Sequence, residues 1–515
     1  MMNETNSFLN FVFLSFFICA ACETTIKCIE NERFYRNPDL NNTLKGGSPT
    51  NEECAKYYLC LEGEVFSFKC SPGLLFDVSR QICDISASVK NCQQFTESGT
   101  TSSNQCPDPD YRKCEDGAAM CIPGDYFCDG APDCPDRSDE TRCDHIEDVY
   151  AAQVCDPTKC QLPKCFCSVN GNVVPGGLAA SAVPQIVLLT FEDAVDEDNF
   201  EFYSYLFSQN YTNPNGCPIS ATFFVSHPHN NYYYVQKLWN AGHEIAVHSI
   251  THKLPDKWWS DNATLEDWFD EMVGGANILH KFSKIRLSDI AGVRAPFLRI
   301  GWNRQFLMMK EFGFLYDSSI VAPFSQTPLW PYTLDYKMPH KCYRQRCPTR
   351  SYPGLWQMVI NQLEAGDVSC ATLDSCPSDL TGQQVYEILT RNFDRHYGTN
   401  RAPFGLHFQA SWFDNDEYLT AFQDFLDNVL SRPDVWFVTN SQAIRWMQDP
   451  VPIARFKNFH YWRCDTRNWR PDELACLKPE TCKLFSRAFR EEIEMQTCGD
   501  CPKKYPWVKN EFGLN

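Results

Sequence analysis

Apolar residues in this chain fall into short continuous runs, and several of those runs stop at a reactive side chain. Pro184 to Phe191 has the pattern of a buried strand and ends on two adjacent carboxylates, Glu192 and Asp193. Glu244 to Val247 leads into His248-Ser249-Ile250-Thr251-His252, and Ile290 to Val293 leads into Arg294-Ala295-Pro296-Phe297. Pro403 to Gln409 encloses Leu406-His407, while Ile219 to Val225 and Val435 to Val438 read as two further buried strands. Between these runs the apolar spacing turns helical. Thr264-Leu265-Glu266-Asp267 is a capping-box-like start for a helix towards Phe282. Asn303 to Phe312 is closed by Gly313, and Glu417 to Ser431 carries Leu419, Phe422, Leu426 and Leu430 at helical spacing. Strands alternating with helices predict an α/β barrel-like domain whose chemistry collects at the C-terminal ends of the strands.

The side chains at those ends are suited to hydrolysis. Asp193, His248 and His252 make a one-carboxylate, two-imidazole set for Zn2+ or another divalent transition metal, with positions left open. The neighbouring Glu192 is placed to take a proton from water. Each piece alone is weak, because eleven histidines in 515 residues make an H-x-x-x-H spacing easy to reach by chance. The ordered set is far more specific.

Thr190-Phe191-Glu192-Asp193, His248 to His252, Arg294 to Phe297, Asp317-Ser318-Ser319 with Trp330, and Leu406-His407 resemble, in order, the five motifs of polysaccharide deacetylases. The longer phrases from Arg294 to Phe306 and from Leu406 to Phe413 resemble arthropod chitin deacetylases. The resemblance implies a distorted (β/α) barrel that hydrolyses the acetamide of N-acetylglucosamine in chitin, giving chitosan and acetate. It implies Asp193, His248 and His252 as metal ligands and Glu192 as the base. Arg294 would pair with that base, and the backbone N–H of Phe297 would stabilise the oxyanion together with the metal. His407, protonated near neutral pH, would give a proton to the leaving amine, with Asp317 orienting it. Trp330 and Leu406 would line the substrate pocket.

One position departs from the family. The base is normally Asp, and Glu192 displaces its carboxylate by about 1.5 Å unless the backbone shifts; a misplacement of about 1 Å costs around 100-fold in rate. Two readings therefore stand: an active deacetylase, which the intact remainder of the site favours, or a catalytically weak protein that organises a chitin matrix. His227 and His229 also invite a metal reading, but a surface loop is the preferred one.

Upstream, residues 28–92 hold Cys28, Cys54, Cys60, Cys70, Cys83 and Cys92 in a segment too small for a large core, so bridges must stabilise it. Its cysteine spacing resembles peritrophin-type chitin-binding modules. Tyr57 and Tyr58 are its candidate sugar contacts, and Phe66, Phe68 and Phe76 its mini-core. A linker at 93–105 leads to a second six-cysteine block at 106–143, ending in a carboxylate-rich loop. That block resembles a low-density lipoprotein receptor class A repeat. The resemblance implies Ca2+ held by the side chains of Asp129, Asp133, Asp139 and Glu140 and the carbonyls of Tyr126 and Ala131, stabilising the fold and taking no part in catalysis. A connector at 144–182 carries Cys155, Cys160, Cys165 and Cys167, for which disulfides are preferred over zinc. The catalytic domain spans 183–450, and a tail at 451–515 holds five cysteines, so at least one must pair outside it.

The 28 cysteines fit an oxidising compartment, and Phe8 to Ala21 reads as the apolar part of a signal peptide at 1–22. Removal of Cys19 and Cys22 with that signal leaves an even 26. No later stretch is long enough to span a membrane, which argues against an endocytic receptor. Asn41, Asn210 and Asn262 stand in glycosylation sequons. A net charge of -19 argues against nucleic acid as a partner. The expectation is a secreted, multidomain, monomeric protein of the extracellular matrix whose partner is chitin.

Overall fold

The computed structural model describes residues 150–464 and 476–514, together with short stretches between residues 34 and 140. The signal segment and Asn41 lie outside the described residues. The main domain is built on nine strands: β1 (Gln185–Glu192), β2 (Ala221–Val225), β3 (Glu244–Val247), β4 (Gly292–Val293), β5 (Tyr316–Asp317), β6 (Tyr332–Thr333), β7 (Trp356–Gln357), β8 (Phe404–Phe408) and β9 (Val435–Phe437). Their order is β6-β7-β5-β4-β3-β2-β1-β8, with β9 pairing to the start of β1. Every pairing is parallel except β6 with β7.

Strand alternation explains which residues become available for chemistry. On β1, Val187, Leu189 and Phe191 pack towards the helices, while Ile186 and Leu188 enter a separate buried cluster with Phe224, Tyr316, Trp356 and Trp446. Thr190 and Glu192 continue that second face towards the C-terminal end of the strand. Neighbouring strand ends are tied in steps. The amide of Ser226 donates to Asp193, His248 to Val225, Arg294 to Val247 and Ser318 to Val293. The ladder sets the reactive residues of successive strands side by side.

The expected elements are present with small shifts. Thr264 closes a capping box with Asp267, and the helical run over 265–283 contains a π-helical segment at Phe269–Val273. Trp302–Phe312 ends at Gly313 in the left-handed conformation (φ 91°), where a side chain would be strained. The helices Glu197–Ser208, Tyr232–Asn240, Gly382–Gly398 and Asn440–Gln448 escape the apolar-run reading.

Disulfides settle several open points. The connector forms Cys155–Cys167 and Cys160–Cys165, not a zinc site. The odd cysteine of the tail, Cys464, pairs with Cys217 in the main domain; Cys476–Cys498 and Cys482–Cys501 staple the hairpin of Glu480–Ser486 and Glu491–Thr497. His227 is a correction to the surface-loop reading. It is 3% exposed, accepts from the Tyr232 hydroxyl, and donates its Nε2–H to the carbonyl of Pro506 at 2.8 Å. Only the folded tail brings Pro506 to it. Burial lowers its pKa to about 3, so it serves as a neutral anchor for the tail.

The N-terminal module pairs Lys56–Leu61 with Glu64–Lys69 and Leu74–Asp77 with Ile82–Ile85. Tyr57 is fully buried and stacks on Phe76 at 4.2 Å, and Tyr58 is 8% exposed. Neither offers an open ring to a sugar, because so small a module spends its large aromatics on its own core. Phe68 stacks on Phe312 of the main domain at 5.3 Å.

Replacing both Cys217 and Cys464 with Ser should lower stability by about 2–5 kcal/mol, since this bridge closes a 247-residue separation. Calorimetry should show an earlier unfolding transition in the double variant. An unchanged transition would mean that the tail is held by packing alone.

Candidate metal centre and catalytic face

The strand-end ladder brings Glu192, Asp193, His248, His252, Arg294 and His407 together at one end of the sheet. Ligand atoms of Asp193, His248 and His252 lie within 4.8 Å of one another. His248 is fully buried, and its Nδ1–H donates to the Arg294 carbonyl at 2.9 Å. That bond sets the tautomer and leaves the Nε2 lone pair facing inward, where it has no hydrogen-bond partner. Glu192 Oε2 stands 3.7 Å away, and Asp193 Oδ1 stands 3.8 Å from His252 Nε2. Burial and the nearby His248 push His252 below the usual imidazole range, against the pull of Asp193, so it stands neutral. A buried, unpartnered imidazole nitrogen beside a second neutral imidazole and a carboxylate fits a divalent transition metal. The other acidic and cysteine cluster, Cys114, Cys134 and Asp136, does not, because its cysteines are disulfide-bonded.

Arg294 organises the side of the site opposite that cluster. It is fully buried, and all five of its N–H groups are engaged. Nη1 donates to Glu192 Oε1 at 2.9 Å and Thr190 Oγ1 at 2.8 Å; Nη2 donates to Ser318 Oγ at 2.8 Å and His407 Nδ1 at 3.2 Å; Nε donates to the Ser318 carbonyl at 2.9 Å. Its guanidinium also lies 4.0 Å from the Phe224 ring. The extra methylene of Glu192 does not prevent this pairing.

His407 is paired in register with Thr190, whose hydroxyl is 2.7 Å from His407 Nδ1. Arginine can only donate, so Nδ1 accepts and the ring proton sits on Nε2. Burial, reinforced by the Arg294 charge, holds His407 well below the usual imidazole pKa. This corrects the expectation of a protonated His407 near neutral pH. A Cβ at Gly405 would meet His407 Nε2 at 2.7 Å, so the glycine makes room for the ring.

Three other expectations change. Asp317 turns to Gln305 Nε2 (2.6 Å), Ser319 Oγ (2.6 Å) and the Ser319 amide (2.8 Å), leaving Arg294 and Thr190 to orient His407. Burial raises Asp317 to about 6. Trp330 is 1% exposed, packs on Trp446 and donates to the Asn400 carbonyl, so it fills the interior and cannot wall an open pocket. Leu406 is fully buried on the helix-facing side of β8, opposite His407. Phe297 is 39% exposed at the mouth, its ring 4.4 Å from that of His252 and its backbone in the left-handed region (φ 56°). Asp193, Ser249 and His252 share that region at φ 78°, 80° and 45°; such residues cost on the order of 1–3 kcal/mol each and persist only where surroundings hold them.

The sequence reading missed four contributors. Thr190 and Ser318 anchor Arg294, as above. Glu271, on the π-helical segment, accepts from the amides of Ile250 and Thr251 and from the Thr251 hydroxyl, clasping the loop between the two histidines. Gln409 donates from Nε2 to Asp193 Oδ2 at 3.0 Å, and its amide donates to Asp374 at 2.9 Å. Asp374 keeps an exposed edge, but desolvation of its carboxylate and the nearby charges of Glu192 and Asp193 raise it to about 6. A π-bulge is a weak sequence signal, and the other contacts join residues between 24 and 216 positions apart.

Elsewhere, Asn210 and Asn262 are both exposed. Asp139 is buried in the short turn Ser138–Glu140. Asp129, Asp133, Tyr126, Ala131 and the side chain of Glu140 lie outside the described residues. Among the described residues, no helix is long and apolar enough to cross a membrane.

The fold and site together define a barrel-type hydrolase with a candidate metal centre, and comparison with known proteins narrows the class. The chain is 44% identical over 483 residues to chitin deacetylase 1 of Bombyx mori, covering 90% of this chain and 88% of that protein. It is 35% identical over 371 residues to chitin deacetylase 8 of Bombyx mori, covering 70% and 94%. This chain belongs to the chitin deacetylase family. Residues 42–92 match the chitin binding Peritrophin-A domain, and residues 104–143 match the low-density lipoprotein receptor domain class A. A putative polysaccharide deacetylase structure from Mycobacterium smegmatis overlaps 56% of this chain and 95% of its own, at 17% identity and a TM-score of 0.36.

Burial raises Glu271 from 4.5 to about 7. The folded state therefore binds this proton more tightly than the unfolded chain, and the associated stability is lost as pH rises from about 4.5 through about 7. The stability of the wild type relative to Glu271→Gln should fall across that window in denaturant titrations. A pH-independent difference would contradict a raised carboxyl at this position.

Proposed function

We propose that this protein is a secreted, metal-dependent chitin deacetylase that removes acetyl groups from N-acetylglucosamine residues of an extracellular chitin matrix. The observation that carries the reading is His248: a buried imidazole with its outer nitrogen bound and its inner nitrogen unpartnered, within reach of Asp193 and His252 and beside the Glu192 carboxylate. Asp193, His248 and His252 would hold Zn2+ or another divalent transition metal, which when bound supplies Lewis-acid polarisation of the acetamide carbonyl.

The remaining chemistry belongs to the chain. Glu192, oriented by Arg294, accepts the proton of the water that attacks the acetamide carbon. The Phe297 N–H donates to the carbonyl oxygen as negative charge develops there. His407 enters neutral, so its Nε2–H contributes a hydrogen bond to the reacting group rather than a free proton. The C–N bond breaks as the proton taken by Glu192 passes to the departing nitrogen, leaving a free amine on the sugar and acetic acid, which ionises in solution. A longer base side chain still meets the main demand on it, which is contact with Arg294 and with the water.

The Peritrophin-A segment supports chitin as the partner and would hold the barrel near polymer, raising the local concentration of acetamide groups. The class A segment would take Ca2+ for its own folding, through Asp129, Asp133, Asp139, Glu140 and the carbonyls of Tyr126 and Ala131.

Acetate release from chitin oligomers and zinc content are measured together on the full chain. Wild type should release acetate, Glu192→Ala should lose at least about 100-fold in rate while keeping its metal, and His252→Ala should lose the metal. A wild type indistinguishable from Glu192→Ala would replace this reading with that of a chitin-binding organiser.

A further inference from the structure

We propose that Gln409 is a positioning residue for the metal centre, selecting which oxygen of Asp193 faces the two histidines. The inference rests on the metal-site reading above and extends it to a residue outside the ligand set.

The two oxygens of Asp193 have different surroundings. Oδ2 accepts the Gln409 Nε2–H at 3.0 Å, while Oδ1 stands 3.8 Å from His252 Nε2. A neutral donor on one oxygen leaves the carboxylate its charge and presents the other oxygen as a single ligand atom. Asp193 needs such a hold. Its side chain is 35% exposed, so packing does not fix the rotamer, and its backbone lies in the left-handed region at φ 78°.

Gln409 is well placed to supply that hold, because its own backbone is pinned at both sides. Its amide donates to Asp374 Oδ2 at 2.9 Å, and its carbonyl accepts from the Trp412 amide at 3.1 Å. It directly follows β8, whose His407 and Phe408 are in register with Thr190 and Phe191 on β1. Asp374 sits in the turn Leu373–Ser375, inside the small loop closed by Cys370–Cys376. A continuous line of support therefore runs from a disulfide-closed loop through Asp374 and Gln409 to Asp193. An amide suits the middle position. A carboxylate there would add a third negative group against Asp193 and Asp374, and a lysine would draw the charge of Asp193 away from the metal.

The test uses the full-length protein and zinc alone, with the dissociation constant read by chelator competition. Gln409→Leu removes the donor at similar size, and Gln409→Glu replaces it with an acceptor; the exposed position should tolerate both. Zinc affinity should fall about 10–100-fold in each, the range expected for loss of an outer hydrogen bond to a ligand, while the unfolding transition of the metal-free protein stays where it is in wild type. His252→Ala, a direct ligand change, is measured alongside. Zinc affinity within twofold of wild type in both Gln409 variants, with His252→Ala weakened, would overturn the role of Gln409 alone. Unchanged affinity in all three would overturn the metal-site reading and this inference with it.

Discussion

A guanidinium shielded from water has to place each of its N–H groups against an acceptor, because a buried unpaired charge costs several kcal/mol. Arg294 meets that demand completely, and the residues that satisfy it come from three different strand ends. Thr190 and Glu192 lie on β1, Ser318 follows β5, His407 lies on β8, and the Arg294 carbonyl in turn takes the Nδ1–H of His248. One residue, through its side chain and its backbone carbonyl, therefore sets the position of the base, the tautomer of one histidine and the orientation of another. Burial keeps His407 neutral, and the charge that orients Glu192 reinforces that.

The metal side of the site is arranged by different means. Its ligands sit on loops with left-handed residues, and loops of that kind do not hold their shape unaided. Glu271 clasps the loop between His248 and His252 from below. Gly274 and Gly275 let the same helical segment approach closely: an added Cβ would lie 2.9 Å from Ile250 and 3.0 Å from Val247. Gln409 and Asp374 hold Asp193 from the other direction. The two halves thus meet the same problem, short loops bearing reactive groups, with a buried charge network on one side and with caps and close packing on the other.

How much of this could be read from residues alone follows physical lines. The strand ends were legible because a run of apolar residues followed by an acid, an imidazole or a guanidinium is a local signal. The capping box at Thr264 and the closing glycine at Gly313 were legible for the same reason. Contacts between distant segments were not. Nothing near Trp330 in the chain shows that it packs against Trp446, and nothing near His227 announces Pro506. The protonation of His407 was misjudged because its burial, and the Arg294 charge that reinforces it, come from packing against segments far along the chain. Tyr57 and Tyr58 were misjudged because the composition of a small module does not distinguish a core aromatic from a binding one.

Arg294 joins the base and His407 into one unit, and Arg294→Lys tests that directly. Lysine keeps the charge but cannot reach five acceptors at once. Acetate release from chitin oligomers, normalised to bound zinc, should fall by about 100-fold or more, since a shift of about 1 Å in the base is enough for that. Zinc content should stay near that of wild type, because no ligand side chain is removed. A folded Arg294→Lys variant with full zinc and activity within a few-fold of wild type would contradict the central role given to this residue.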